Sequence, residues 1–327
     1  MERTRKIFLT YNEQIALLTE RGLNIADVDK ARHYLEYFGY FDLVNGYKDL
    51  FLMKRAPEKY KPNVDFSDLV GLYMFDYYLR SDLLAALYLV EKSLKSTISY
   101  TFSREYGEDN HYYLQPASFD TRPHKSSRVL SIIQTMNNLL TDNNRNGNKT
   151  ICHYIQNHGY VPLWVLFTVA TFGNVSVFYS NLKDKDMDDI SSHYGLSASE
   201  LSSIMYFLTH IRNACAHGHR IYTFGSDSRR PLTIPRLGIH SQLELPTGEG
   251  LNDILAVILC CFYILPSNSF EYLVSNLKNR LDRIKHKRFY SGVINKTNLR
   301  NKYLDALIDA KIKVGNNTEA GALDTEA

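Results

Sequence analysis

One long segment constrains the fold of this chain more than any other feature. From Ser67 to Tyr106 there is no proline and only one early glycine. Apolar residues recur in this segment every three or four positions, the spacing of a helix face buried against a core. The segment predicts one long helix or two kinked pieces, with Gly107 as the stop. The apolar positions are Leu69, Leu72, Tyr73, Phe75, Leu79, Leu83, Leu87, Val90, Leu94 and Ile98.

Shorter helical segments precede and follow this one. Thr10 and Glu13 form a capping box that opens a helix ending at Gly22, and a second helix is expected from Asp27 to Phe38. Residues 39–62 carry turn residues and aromatics without a clear pattern. Alternating strand patterns do not emerge, so the predicted fold class is all-α. Further helices are expected at 128–140, 150–157, 162–182, 199–217, 252–265, 269–287 and 298–311.

The 327 residues suffice for one large or two modest domains. We expect an N-terminal helical region at 1–65, a helical core at 66–312 and a disordered tail at 313–327. Pro231, Pro235 and Pro246, with several glycines, predict a loop insertion near 220–250 within the core.

Composition narrows the class of protein. The net charge of +3 excludes a histone-like polycation, although a local basic patch remains compatible with it. The four cysteines form no CxxC pair, which favours reduced thiols in the cytoplasm over a disulfide framework. The most apolar run, 254–265, is too short to span a bilayer, and no signal core follows the charged N-terminus. The sequence therefore predicts a soluble cytoplasmic protein with no membrane segment.

The residues that carry the clearest chemistry are Arg212, Asn213 and His217, near the end of a predicted helix. Arginine binds phosphate through two parallel hydrogen bonds, and histidine transfers protons near neutral pH. Asn213 lies one helical turn before His217 and can orient the imidazole or a ligand hydroxyl. Together these groups can cleave RNA without a metal or other cofactor. A helix end stabilised by a cation is the simpler interpretation of the spacing alone.

Helix geometry adds a condition to the catalytic interpretation. Residues 212 and 217 lie about 140° apart around a helix axis, whereas 213 and 217 are only about 40° apart. Arg212 and His217 therefore flank a broad face. A second copy of the helix across a dimer axis would close such a face into a cleft, so the spacing is compatible with a composite site in a homodimer.

Segments in a fixed order over roughly residues 7–224 resemble the bacterial Abi-like family of abortive-infection proteins, of the AbiD/AbiF type. The segments are LTYNEQI (9–15), RGL (21–23), YL (34–35), FGYF (38–41), NGY (45–47), LYMFD (72–76), LR (79–80), VEKSLK (90–95), PLWV (162–165), TFGN (171–174) and HIRNACAH (210–217).

The resemblance implies a HEPN-like helical bundle with additional N-terminal and C-terminal helices, in which an Arg-x4-6-His motif is a ribonuclease signature. It also implies paired units whose motifs face one cleft, and an anti-phage role as a toxin that cuts RNA. Whether a small RNA or an antitoxin regulates the protein stays open at the level of sequence. Two departures stand out. His219 occupies the position where some HEPN toxins carry a modifiable tyrosine, and Lys95 occupies the position where an arginine is expected.

Other candidates for RNA binding or for support of the motif are Glu91, Lys95, His210, His219 and Arg220. Glu91 and Lys95 are equally typical of a surface ion pair, and His210 of a packing or surface residue. His217 and His219 could be read as metal ligands, but no carboxylate or cysteine cluster lies near them in sequence. The basic run Lys278–Arg288 and the arginines at 229, 230 and 236 suit either phosphate contacts or a solvated surface.

Two functions therefore stay open at the level of sequence. The first is a metal-independent endoribonuclease of an abortive-infection system, with His217 as acid or base and Arg212 stabilising the phosphorane. The alternative is a non-catalytic RNA-binding or regulatory module that uses the same motif to bind phosphate.

Overall fold

A computed structural model describes residues 7–225 and 232–323, and within these ranges it has an all-α fold with one short hairpin. The predicted fold class is confirmed. The helices are α1 (Tyr11–Glu20), α2 (Val28–Phe38), α3 (Phe66–Tyr106), α4 (Ser126–Arg145), α5 (Lys149–His158), α6 (Leu163–Leu166), α7 (Phe172–Ser180), α8 (Asp184–Ser192), α9 (Ala198–Ala216), α10 (Gly238–Gln242), α11 (Ile254–Ile264), α12 (Ser267–Ile284), α13 (Tyr290–Thr297) and α14 (Asn301–Leu323).

The long proline-free segment forms one continuous helix, α3, of 41 residues. Asp65 caps its start, accepting a hydrogen bond from the backbone N–H of Ser67, and Gly107 ends it with φ of 88°. Glycine suits that position because a positive φ strains residues that carry a Cβ. The helices α6, α8, α9, α11 and α12 pack along α3. This helix is therefore the axis on which the rest of the core is assembled.

The segment after α2 contains a structure that the sequence left undetermined. A π-helical turn spans Phe41–Asn45, and a short 3-10 helix spans Lys48–Leu50. Strand β1 (Leu52–Arg55) then pairs antiparallel with strand β2 (Glu58–Tyr60). Arg21 and Lys48 both form ion pairs with Glu58, which ties this hairpin to the end of α1 and to the 3-10 helix.

Several predicted helices have different bounds in the structure. The expected helix at 162–182 is two helices, α6 and α7, because Thr171 and Asn174 form a capping box that opens a new helix there. Helices α8 and α13 were not predicted. Helix α10 lies inside the predicted loop at 220–250, and α14 continues to Leu323, into the segment expected to be a disordered tail. The domain boundaries stay a prediction.

The most apolar run forms α11, whose side chains are almost all buried beneath the surrounding helices. Across the described ranges, none of the helices is both long and apolar enough to cross a membrane.

Candidate functional site

Helix α9 presents the Arg-x4-His motif at its C-terminal end. Ser197 and Glu200 form a capping box at its start, and Ile204, Leu208 and Ile211 bury its inner face. The helix ends in a Schellman motif, in which the N–H of His219 donates to the Ala214 carbonyl at 2.9 Å and that of Gly218 to Cys215 at 3.2 Å. Gly218 takes the positive φ, 71°, that this motif requires. This motif fixes the backbone at His217.

Arg212 lies in a cleft of about 550 Å³, here called the arginine cleft, between α3, α9 and the loop from α6 to α7. Its Nε is 3.5 Å from Oε2 of Glu91, whose other carboxylate oxygen is 2.7 Å from the Lys95 ammonium. The Lys95 ammonium also donates to the Ala170 carbonyl at 2.6 Å. The predicted Glu91–Lys95 pair therefore supplies two members of a three-residue cluster, in which the buried Glu91 carboxylate also forms an ion pair with Arg212.

His217 lies in a second cleft of about 790 Å³, here called the histidine cleft. It is formed by the π-turn Phe41–Asn45, by α3 around Tyr77 and Arg80, and by the segment 215–220 after α9. The His217 side chain is exposed, and its ring centroid is 6.2 Å from that of His219. The motif histidine is thus open to solvent beside a cavity large enough for a ligand.

The arginine and the histidine of the motif line separate clefts of the same chain. This agrees with the wide angle between the two positions around the helix. On α3, the exposed Leu84 borders the histidine cleft and the exposed Tyr88 borders the arginine cleft. The Asn213 amide oxygen is 3.5 Å from Nη1 of Arg212, so this side chain contacts the arginine of the motif. The role of Asn213 in orienting the imidazole stays a prediction.

A buried polar network lies beneath the histidine cleft, and the sequence interpretation missed it. The Asp76 carboxylate accepts hydrogen bonds from Tyr47 Oη at 2.6 Å and from Arg80 Nη1 at 2.5 Å. It also accepts from the backbone N–H groups of Ile221 at 3.0 Å and Tyr222 at 2.6 Å. Burial raises the pKa of Asp76, while these donors partly offset that effect.

This network fixes the segment that follows the motif. Arg80 donates from Nη1 to the His219 carbonyl at 3.2 Å as well as to Asp76. The network thereby joins α3, the segment near Tyr47 and the turn after His217. A signal for it exists in the sequence, because Asp76 and Arg80 are charged residues spaced i,i+4 within an apolar helix face.

The remaining predicted residues take different positions. Arg220 lines the histidine cleft, where its Nη1 donates to the Gly46 carbonyl at 2.6 Å and lies 3.6 Å from Asp49. His210 lies outside the linings of both clefts, with Nδ1 2.9 Å from the Tyr206 carbonyl and its ring against Tyr206. Burial raises the pKa of Cys215 to about 12, which keeps this thiol protonated at neutral pH.

Most of the basic run Lys278–Arg288, which spans the end of α12 and the residues after it, forms ion pairs with acidic side chains. Lys278 pairs with Asp305, Arg280 with Asp82, Lys285 with Asp282 and Arg288 with Asp68. These pairs favour a structural role for the run over phosphate binding.

Of the loop arginines, Arg236 donates to the Leu245 carbonyl at 3.2 Å, whereas Arg229 and Arg230 lie outside the described residues. Residues 7–225 and 232–323 contain no group of three or more His, Cys, Asp or Glu side chains placed to hold a metal.

Comparison with known proteins gives a family match. No curated protein and no solved structure matches the chain. The model of the family described as Abi-like protein matches residues 33–223, a range that contains every residue lining both clefts. Because the match covers more than half of the 327 residues, this chain belongs to the Abi-like family.

Proposed function

We propose that this protein is a cytoplasmic, metal-independent endoribonuclease of a HEPN-like kind that acts in abortive infection as a homodimer. Membership of the Abi-like family supports the role in abortive infection. The observation that carries the chemistry is the pair of solvent-accessible clefts at one helix end, one containing Arg212 and the other His217. These groups supply the cation and the proton carrier that cleavage of RNA requires.

The reaction begins with attack of a ribose 2′-hydroxyl on the adjacent phosphorus. The bond from phosphorus to the 5′-oxygen of the next nucleotide breaks, leaving a 2′,3′-cyclic phosphate and a free 5′-hydroxyl. One group removes the proton of the 2′-hydroxyl and another delivers a proton to the leaving 5′-oxygen. His217 performs one of these transfers, a role worth about 10²–10⁴-fold in rate. Arg212 stabilises the charge on the phosphorane, and loss of such a donor costs about 10²–10³-fold.

The separation of the two clefts is the reason to propose a dimer. A single chain offers the guanidinium and the imidazole on either side of the end of α9. A second copy packed across this face brings the arginine cleft of one chain to the histidine cleft of the other. Each composite centre then contains one guanidinium and one imidazole, and a water molecule makes the second proton transfer. Exposed Leu84 and Tyr88 lie between the clefts and would be covered in it.

Within each chain, Glu91 is a positioning residue. Its buried carboxylate accepts from Lys95 and lies beside Arg212, so it fixes the direction of the guanidinium without contacting the RNA. Lys95 is bound by both Glu91 and the Ala170 carbonyl. We therefore assign Lys95 to the support of Arg212 and leave phosphate contact to Arg212 itself.

The same clefts also support the alternative, a non-catalytic module that binds RNA phosphates. The separation of Arg212 from His217 favours this alternative if the protein acts as a monomer, because neither cleft alone then holds both groups.

Cleavage of a defined RNA in the presence of EDTA separates the two functions. Wild-type protein should cut the RNA and leave cyclic-phosphate ends, whereas His217→Ala and Arg212→Ala should each be slower by at least about 100-fold. His210→Ala is the matched control, because His210 lies on the same helix outside both clefts, and it should cut at the wild-type rate. Equal rates for wild type and both motif variants would contradict the proposal, and loss of activity with EDTA would contradict metal independence.

A further inference from the structure

We propose that the histidine cleft is a binding site for one unpaired nucleobase of single-stranded RNA, stacked on Tyr77 and Phe41 next to the phosphate that is cut. The inference rests on the proposed function in one respect only, the placement of RNA at His217. It adds the substrate class and the residues that hold the base.

The cleft has room for a whole nucleotide, and its aromatic lining suits the base. The cleft volume of about 790 Å³ falls within the range of about 300–1,000 Å³ for ligand sites. Tyr77 and Phe41 line it, and they remain 46% and 76% exposed. Exposed aromatic rings inside a cleft are costly to solvate and offer flat apolar faces. Stacking of a base on such a ring is the usual way in which proteins hold single-stranded nucleic acid.

The support beneath the two rings is rigid. Phe41 begins the π-turn, whose Leu43 and Val44 are fully buried. The neighbouring Tyr73 forms part of the cleft wall and packs against Phe38 and Tyr47, at centroid distances of 4.6 Å and 5.3 Å. π-helical turns are rare and are found frequently at functional sites. The turn therefore presents Phe41 outward on a fixed base, which suits a preformed stacking surface.

The charges along the cleft give the nucleotide a direction. Asp42 is exposed beside Phe41 on the π-turn and lines the same cleft. A carboxylate repels phosphate but accepts hydrogen bonds from the amino groups of bases. His217 and His219 line the part of the cleft formed after α9. The phosphate therefore belongs beside the histidines and the base beside the π-turn.

This arrangement selects single strands. In a duplex each base is stacked and paired, and its face is not available to a protein ring without unstacking. A base that enters the histidine cleft must come from an unpaired strand, a loop or an end. The proposed substrate class is therefore single-stranded RNA, with affinity that depends on the presence of a base.

Binding in the inactive His217→Ala background tests the site apart from cleavage. The probes are a short single-stranded RNA of mixed sequence and an abasic strand of the same length. Adding Tyr77→Ala or Phe41→Ala should weaken binding of the RNA about 10- to 100-fold, the effect of losing one stacked base. Binding of the abasic strand should not change. Tyr77→Trp should retain binding, because indole also stacks.

Tyr100→Ala is the matched control, since Tyr100 is an exposed tyrosine on the same helix outside the histidine cleft, and it should bind like the parent. If Tyr77→Ala and Phe41→Ala bind RNA as tightly as Tyr100→Ala, the subsite is wrong, even where the wild-type protein cleaves RNA. If the base-dependent binding is found but the wild type never cuts RNA, the subsite stands and the proposed nuclease fails. Both substitutions remove exposed side chains, and thermal melting checks that the fold is kept.

Discussion

In the arginine cleft a buried carboxylate lies directly against the functional side chain, whereas in the histidine cleft hydrogen bonds fix only the backbone that carries the imidazole. Glu91 lies against the Arg212 guanidinium. The position of the His217 backbone is instead set by the Schellman motif at Gly218 and by the hydrogen bond from Arg80 to the His219 carbonyl. The ion pair with Glu91 favours one direction of the long Arg212 side chain, whereas fixing the backbone at His217 sets only where its side chain starts and leaves χ1 and χ2 free to turn. The two clefts therefore depend on different residues, so a substitution can impair the function of one cleft and leave the other unchanged.

Among the substitutions considered, replacing Asp76 should give the largest loss in the free energy of unfolding. Asp76→Ala removes the acceptor of Arg80, Tyr47 and two backbone N–H groups, which stay buried without a partner. We expect a loss of about 3–5 kcal/mol in the free energy of unfolding, as for a broken buried ion pair. Urea denaturation followed by circular dichroism measures it.

Asp189→Ala is the control for this measurement. It removes an ion pair with Arg104 in which both side chains are about half exposed, so it should cost about 1 kcal/mol or less. Similar losses for the two variants would show that the Asp76 network does not anchor the turn after His217.

Mixing two inactive variants asks whether the two clefts meet across a dimer. Arg212→Ala removes the guanidinium from the arginine cleft of every chain, and His217→Ala removes the imidazole from the histidine cleft. If a centre takes arginine from one chain and histidine from the other, a mixed dimer keeps one intact centre of two. Random mixing makes half of the dimers mixed, so activity should recover to about a quarter of the wild-type level.

The size of that recovery decides the geometry. No recovery in a mixture shown to contain mixed dimers would mean that each chain builds a whole centre. A strictly monomeric protein at micromolar concentration with full activity would remove the dimer from the proposal, while the roles of Arg212 and His217 would stand.

The sequence predicted α3 and α9 well because their signals are local. Apolar spacing, the serine cap and Gly218 are all contained in a few turns of chain. The helices α8 and α13 were missed since both are short and neither begins with a side-chain cap. The break at Thr171 was missed since its capping box lies inside an otherwise helical pattern. Local propensity does not predict where a helix begins or ends when tertiary contacts determine those positions.

The site was predicted in part for the same reason. The motif and the Glu91–Lys95 pair are visible within one helix each, but their meeting at Arg212 joins residues far apart in the chain. Asp76 contacts Tyr47 on one side and the backbone of Ile221 on the other. Neither contact follows from spacing along one helix. The histidine cleft likewise depends on the π-turn, for which the sequence carried no recognised signal.

Glu91→Gln should give the smallest effect and the sharpest separation of the two clefts. Glutamine keeps the size of the side chain but loses the charge that holds Arg212 and Lys95. We expect kcat for RNA cleavage to fall about 10-fold, equivalent to about 1.4 kcal/mol of transition-state stabilisation. The unfolding free energy should fall by less than in Asp76→Ala, because the glutamine carbonyl can still accept a hydrogen bond from Lys95, which also keeps its bond to the Ala170 carbonyl. Base-dependent RNA binding in the histidine cleft should not change, since Glu91 does not line it.

Glu105→Gln is the control. Glu105 lies on the same helix as Glu91 and forms an exposed ion pair with Lys185, so its replacement should leave both kcat and binding unchanged. A fall in RNA binding with constant kcat would mean that Glu91 supports substrate affinity, and the direct link from Glu91 to the chemistry of Arg212 would be wrong.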